Sequence, residues 1–166
     1  MDHERYPYRI ESRWRVAGAI DEVYAVLTDA GALPRWWPEA YAEVTEALGG
    51  DPETGVGRVT DIVTRGRLPY DVSWRVEVIA TRPPEFIRIR ASGDVIGYGE
   101  WRLMQDGDEV DLRYLWCVRV GKPWMQRFEF LLKPVFAWNH NWVMRRGERG
   151  LAAEVARRRS AAHPRT

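Results

Sequence analysis

His140 is the side chain in this sequence best suited to moving a proton near neutral pH; the other two histidines, His3 and His163, lie near the termini. An imidazole changes charge near pH 6.5, so one placed in an enclosed site is a natural acid or base. On an apolar helix stripe, the commoner role of a lone histidine is that of a hydrogen-bonded core residue. Asp61 is the second candidate. It interrupts Val59-Thr60-Asp61-Ile62-Val63, and an inward-facing carboxylate there would be a polar group in an apolar place. Tyr70 and Tyr114 add hydroxyls to the same set. Other chemistries lack their spacing. There is no His-Glu-x-x-His, no phosphate loop and no Gly-x-Ser-x-Gly, and Gly55-x-Gly57 is a lone glycine pair. One cysteine, Cys117, permits neither an internal disulfide nor a cysteine-built metal site. No metal and no cofactor is expected, and Cys117 reads as an outward-facing structural thiol.

The elements that must position these groups follow from hydrophobic period. Tyr8 to Val16 alternates apolar and charged residues, the mark of a half-buried strand. Asp21 is placed to cap a short helix through Leu27, and Ala32 to Trp37 reads as a second, closed by Pro38. Six further strands are expected at about Tyr41–Leu48, Gly57–Arg65, Pro69–Thr81, Glu85–Ser92, Gly97–Gln105 and Glu109–Val120. Their turns fall at Gly49–Gly55, Gly66-Arg67, Pro83-Pro84, Gly93-Asp94 and Asp106-Gly107-Asp108. Such short connections pair neighbours antiparallel. Pro123 suits a helix start, and one long helix is expected from there to about Arg159, kinked or split at Pro134.

A seven-stranded curved antiparallel sheet needs one face covered, and the C-terminal helix is the only element large enough to cover it. The expected class is therefore α+β, a sheet gripping a helix. Residues 1–159 make the domain, and 160–166 a disordered tail.

Alternation then assigns the faces. Tyr70, Trp74, Trp101, Tyr114 and Trp116 fall inward on the sheet, and Trp37 sits at the end closed by the short helices. Phe136, His140, Val143, Gly147, Leu151 and Val155 form a helix stripe with Phe128 and Leu132, and Asn139 lies beside it. Gly147 and Gly150 within a helix point to close packing or a bend. Two readings stay open: a core filled by tryptophan, or an aromatic-lined cavity of roughly 300–1,000 Å³. In the second, Trp37, Tyr70, Trp74, Trp101, Tyr114, Trp116, Phe136, Asn139, His140 and Val143 would contact a hydrophobic ligand.

Composition sets the remaining bounds. The chain has 166 residues, nine of them tryptophan, and a formal net charge of +1. No stretch has the apolar length of a membrane span, and the N-terminus lacks a signal's apolar run, so a cytoplasmic protein is expected. From Arg119 onward 11 basic residues face 3 acidic ones. That asymmetry raises nucleic-acid or anionic-membrane contact, but only Arg157-Arg158-Arg159 forms a run, so a solvated helix is expected and no nucleic-acid partner. Peripheral membrane contact is the weaker alternative.

Several segments resemble a known group. Ile20-Asp21-Glu22-Val23-Tyr24-Ala25-Val26-Leu27-Thr28-Asp29 followed by Leu33-Pro34-Arg35-Trp36-Trp37-Pro38 is similar to the opening of the START/Bet v 1-like (SRPBCC) superfamily. Gly55-Val56-Gly57 and Asn139-His140-x-Trp142-Val143-Met144 leading to Gly147-x-x-Gly150-Leu151 resemble its bacterial polyketide cyclase/dehydrase-type branch. The resemblance implies a helix-grip fold with an apolar cavity between sheet and C-terminal helix. It implies a ligand that is a lipid, isoprenoid or polyketide-like molecule, and alternatively a cyclase, aromatase or dehydratase acting on such a ligand. It carries no catalytic residue over to this chain, leaving His140 and Asp61 as candidates by chemistry alone.

Overall fold

In a computed structural model, residues 6–65, 70–123, 127 and 129–162 are described, with the side chains of 129–133 excepted. The alternating segments form β1 (Tyr8–Ala17), β2 (Glu43–Leu48), β3 (Val59–Thr64), β4 (Val72–Arg82), β5 (Phe86–Gly93), β6 (Val95–Asp106) and β7 (Glu109–Val120). They pair antiparallel throughout in the order β1-β7-β6-β5-β4-β3-β2. Between β1 and β2 lie α1 (Ile20–Thr28), a 3₁₀ turn (Ala30–Ala32) and α2 (Leu33–Trp36); α3 (Glu129–Ala162) closes the chain. This is the helix-grip arrangement expected from element order.

Several boundaries differ from the sequence reading for local reasons. β2 begins at Glu43 rather than Tyr41, because the Tyr41 N–H donates to Trp37 O at 3.0 Å and continues the turn after α2. Asp21 does not cap α1. The helix starts at Ile20 with Ala19 at the cap position, and the Glu22 carboxylate reaches back to accept the Ala19 N–H at 3.0 Å. Pro134 does not split α3, which runs through it with the ring facing solvent. The helix also continues to Ala162, so the first three residues of the expected tail are helical. The Gly66-Arg67 turn, Trp124 and the Phe128 and Leu132 side chains lie outside the described residues.

α3 is held on the sheet by small residues at its closest approaches. A Cβ on Gly147 would stand 2.4 Å from Trp37 Cε2 and 2.7 Å from Trp14 Cη2. One on Gly150 would stand 1.9 Å from Trp36 O. The two glycines thus let the helix backbone rest on tryptophans of β1 and α2. Leu151 and Val155 continue the buried stripe toward Val23 and Val26 of α1.

Charge fixes the same end. Glu154, 4% exposed, accepts from Arg35 of α2 and from Arg157 and Arg158 of its own helix. Arg158 also bonds Asp29, and Arg159 bonds Glu22. The arginine run that made the C-terminal third basic is therefore matched by acids from α1, α3 and the turn that follows α1. Hydrogen bonds from Arg157, then Arg35 and Arg158, hold the Glu154 carboxyl far below its ordinary range, against the opposing pull of burial.

The outer face of the sheet is a lattice of cross-strand pairs. Arg13 grips Asp111 through two bonds of 2.7 and 2.9 Å. Asp61 belongs to this face. Arg75, opposite it on β4, donates at 2.6 and 2.8 Å and lowers its pKa. Cys117 is outward as expected but buried, set between Arg9 and Tyr98 in the strand register.

Candidate functional site

The inner aromatics touch one another in a closed circuit. Trp37 meets Tyr41 with ring centroids 5.3 Å apart, Tyr41 meets Trp74 at 6.3 Å, and Trp74 meets Trp116 at 5.6 Å. Trp116 stacks on Tyr114 at 5.7 Å, and Tyr114 on Trp101 at 4.3 Å. Trp101 packs on Trp14 at 4.8 Å, which returns to Trp37 at 5.1 Å. Edge-on and offset contacts of this kind are the favoured geometries for aromatic pairs.

Two members are pinned by their ring nitrogens. Trp37 Nε1 donates to Val143 O on α3 at 2.9 Å, and Trp74 Nε1 donates to Thr64 Oγ1 at 2.9 Å. Thr64 in turn donates to Ala40 O at 2.6 Å.

The circuit answers the question left open by composition. The tryptophans fill the middle of the interior and leave space on either side. One chamber, about 180 Å³, lies under α3 and opens near Asp94 and Val120. Another, about 300 Å³, lies toward α1 and the β2–β3 loop. Trp37 and Tyr41 line both and form the wall between them.

The first chamber brings together most of the expected contact residues. Trp37, Trp74, Tyr114 and Trp116 form its aromatic walls, and Phe136, Asn139, His140 and Val143 come from α3. Trp101 instead faces the second chamber. Tyr70 packs beside Tyr8, Val118 and Val120 in an apolar cluster near the first chamber's rim and is not part of its lining. Asp61 is a correction. Thr60, Ile62 and Thr64 are the inward residues of β3, so Asp61 points to the opposite face and reaches neither chamber.

His140 is the polar centre of the first chamber. Its Nε2 is buried and has no hydrogen-bond partner among the described residues. Burial pushes its pKa down to about 4, so the ring is neutral at physiological pH. Burial also raises the hydroxyls of Tyr41 and Tyr114, which stay protonated. The chamber thus offers neutral donors and acceptors between aromatic walls around His140, with Asp94 and Arg119 also in its lining. No three or more His, Cys, Asp or Glu side chains converge to hold a metal ion among the described residues. Nor is any described helix long and apolar enough to cross a membrane.

Sequence reasoning missed Tyr41, Met144 and Thr64. Tyr41 carried a usable signal, since it follows Trp37 by four residues, the spacing of one helical turn. Thr64 carried none, because its importance lies in a relay to Trp74.

No family model and no curated protein matches the sequence. Solved structures do. The Zhui aromatase/cyclase from Streptomyces sp. R1128 superposes with a TM-score of 0.70 at 18% identity, over 94% of this chain and 98% of that one. TTHA0849 from Thermus thermophilus gives 0.68 at 14% identity, over 89% and 99%. A norcoclaurine synthase from Thalictrum gives 0.58 at 16% identity, over 89% and 94%. At these identities the likeness establishes the fold, the helix-grip architecture implied by the START/Bet v 1-like resemblance.

Proposed function

We propose that the protein binds a hydrophobic small molecule, lipid, isoprenoid or polyketide-like, in the chamber between sheet and α3. The observation that carries this reading is the buried, unpartnered His140 Nε2 within aromatic walls. A buried polar atom left without a partner costs roughly 1–3 kcal/mol, which a ligand hydroxyl or carbonyl would recover. The walls favour a flat, ring-containing ligand, because Trp74, Tyr114 and Trp116 offer π faces and edges rather than flexible aliphatic surface.

Paired probes test this. 2-Naphthol should quench tryptophan fluorescence and bind about tenfold tighter than naphthalene, the worth of one hydrogen bond near 1.4 kcal/mol. The preference should vanish in His140→Phe. Equal affinity for the two probes in the parent protein would remove His140 from the reading, and binding of neither would sink it.

A cyclase or dehydratase is the second reading, favoured by the likeness to the Zhui aromatase/cyclase. His140 would then take a proton from a bound chain held in a reactive fold by the walls. A pKa near 4 makes it a weak base, so the ligand itself would have to raise that value on binding. Incubation with a poly-β-ketone thioester, followed by mass spectrometry for loss of water, separates the readings. Turnover that His140→Phe abolishes supports catalysis, and unchanged substrate supports a carrier.

A further inference from the structure

The second chamber lies on the far side of the Trp37–Tyr41 wall and is used by neither reading above. At about 300 Å³ it is the roomier of the two and reaches the size usual for small-molecule sites. Its floor is aliphatic: Ile62, Val76, Val78, Ile87 and Ile89 from β3, β4 and β5. Val76, Val78 and Ile89 point inward on the sheet yet are only half-buried. α3 makes its main contacts with β1, α1 and α2 rather than with this part of the sheet. Val78 and Ile89 pack against the edge of the core and keep part of their surface toward the chamber, as the lining of a site does.

The mouth of the chamber is chemically different from the floor. Arg58 is held across it: Nη1 donates to Thr28 O at the end of α1 at 2.9 Å, and Nε donates to Gly49 O at 3.4 Å. Its nearest carboxylate, Glu46, is 3.7 Å from Nε and exposed. Nη2 has no hydrogen bond among the described residues and stands beside Gly55 on the chamber's edge. The Tyr24 ring lines the same mouth, close enough for the arginine charge to oppose the upward pull of burial on its hydroxyl. The neighbouring threonines are committed, Thr54 to Asp51 and Thr81 to Thr54 O. Arg58 and Tyr24 are thus donors available to an incoming oxygen, in a polar lining that also includes Thr60, Tyr41 and Glu53.

We propose that this chamber is a second, separate binding site for a short aliphatic molecule with a carboxylate or carbonyl head. The chain would lie on the Val76, Val78 and Ile89 floor, and the head would meet Arg58 Nη2 and the Tyr24 hydroxyl. A fixed guanidinium suits a carboxylate, and the aliphatic floor suits a chain better than a ring. The site does not depend on what the first chamber holds.

Octanoate and its neutral counterpart octanamide are the probes, and backbone amide shifts of the isotope-labelled wild-type chain are the first readout. Octanoate should move the amides of Val76, Val78 and Ile89 and leave those of Val95, Val118 and Val143 in place. Calorimetry then assigns the head group. Arg58→Gln should weaken octanoate about tenfold and change octanamide less than twofold, while Arg58→Lys retains part of the octanoate preference. Val78→Phe, which fills the floor, should weaken both probes, and His140→Phe should weaken neither. Equal binding of the two probes that Arg58→Gln leaves unchanged overturns the carboxylate head. Shifts confined to the first chamber, or no shifts at millimolar octanoate, overturn the site itself. The wild-type shift map decides this even where a variant fails to fold.

Discussion

Gly147→Ala tests the packing that sets the wall between the chambers. Helix propensity alone predicts a gain, since alanine is favoured over glycine in a helix interior by about 1 kcal/mol. The structure predicts a loss. The added methyl would stand 2.4 Å from Trp37 Cε2 and 2.7 Å from Trp14 Cη2, against about 3.5–4.0 Å for comfortable carbon contact. Something must therefore move by about 1 Å. Both neighbours are rigid rings in the aromatic circuit, and Trp37 is tied to Val143 O on the same helix. Overpacking of this kind costs about 1–3 kcal/mol, and weakening the Trp37 hydrogen bond adds about 1 kcal/mol. Set against the propensity gain, the net is a destabilisation of about 2 kcal/mol. For a chain of this length that lowers Tm by about 4–8 °C. Differential scanning calorimetry reads the shift, and near-UV circular dichroism reports displacement of the tryptophans. Gly49→Ala is the control, because only the flexible end of Glu46 lies near its Cβ position. A Gly147→Ala protein with raised Tm and an unchanged near-UV spectrum would refute the contact.

The remaining predictions concern the charged and polar groups. His140 has a folded pKa lowered to about 4 from 6.5, so the unfolded chain binds more protons between those values. Stability should accordingly fall as pH drops from 6.5 toward 4, by roughly 3 kcal/mol in all, and His140→Gln should flatten urea midpoints between pH 6.5 and 5. A His140 imidazole signal that titrates near 6.5 would contradict the burial. Glu154, held below the ordinary 4.5, adds stability that is present above that value and lost as pH falls beneath it. Glu154→Gln should cost about 2 kcal/mol at pH 7 by calorimetry, and a neutral effect would mean that the three arginines find solvent equally good. Tyr41→Ala removes half of the wall and joins the chambers. Dodecanoate should then gain about tenfold over octanoate relative to the parent, the worth of about two of its four further CH₂ groups becoming buried at about 0.8 kcal/mol each. An unchanged ratio would show that Trp37 alone keeps the spaces apart.

How much of this was legible in the sequence depended on whether a residue's role was set by its own strand. Period-2 alternation put Trp74, Trp116 and Tyr114 on the inner face, and the helical stripe put His140 and Val143 opposite them, as the chamber lining has it. Alternation left Asp61 unassigned because its neighbours Thr60 and Thr64 are nearly as polar. The choice was made by Arg75 on the adjacent strand, a pairing that depends on register. Gly147 and Gly150 were legible as close contacts but not as contacts with Trp37 and Trp36, which lie more than a hundred residues earlier. The division of the interior was not legible at all. It arises from Tyr41, placed by a turn hydrogen bond to Trp37 O where the sequence suggested the start of a strand.

The same division bears on why the interior holds space at all. Unfilled space within a core is costly, at about 24 cal/mol per Å³ where the surroundings do not collapse into it. Flexible aliphatic walls would relax and reduce that cost. The first chamber's walls resist this: Trp37 is anchored to α3, Trp74 to the Thr64–Ala40 relay, and Tyr114 and Trp116 are stacked in series with Trp101. Rigid rings braced against one another hold a void open where leucines would close it. A ligand that enters then regains dispersion contacts without first reordering its site, and that preorganisation is the physical advantage of so many tryptophans in a small domain.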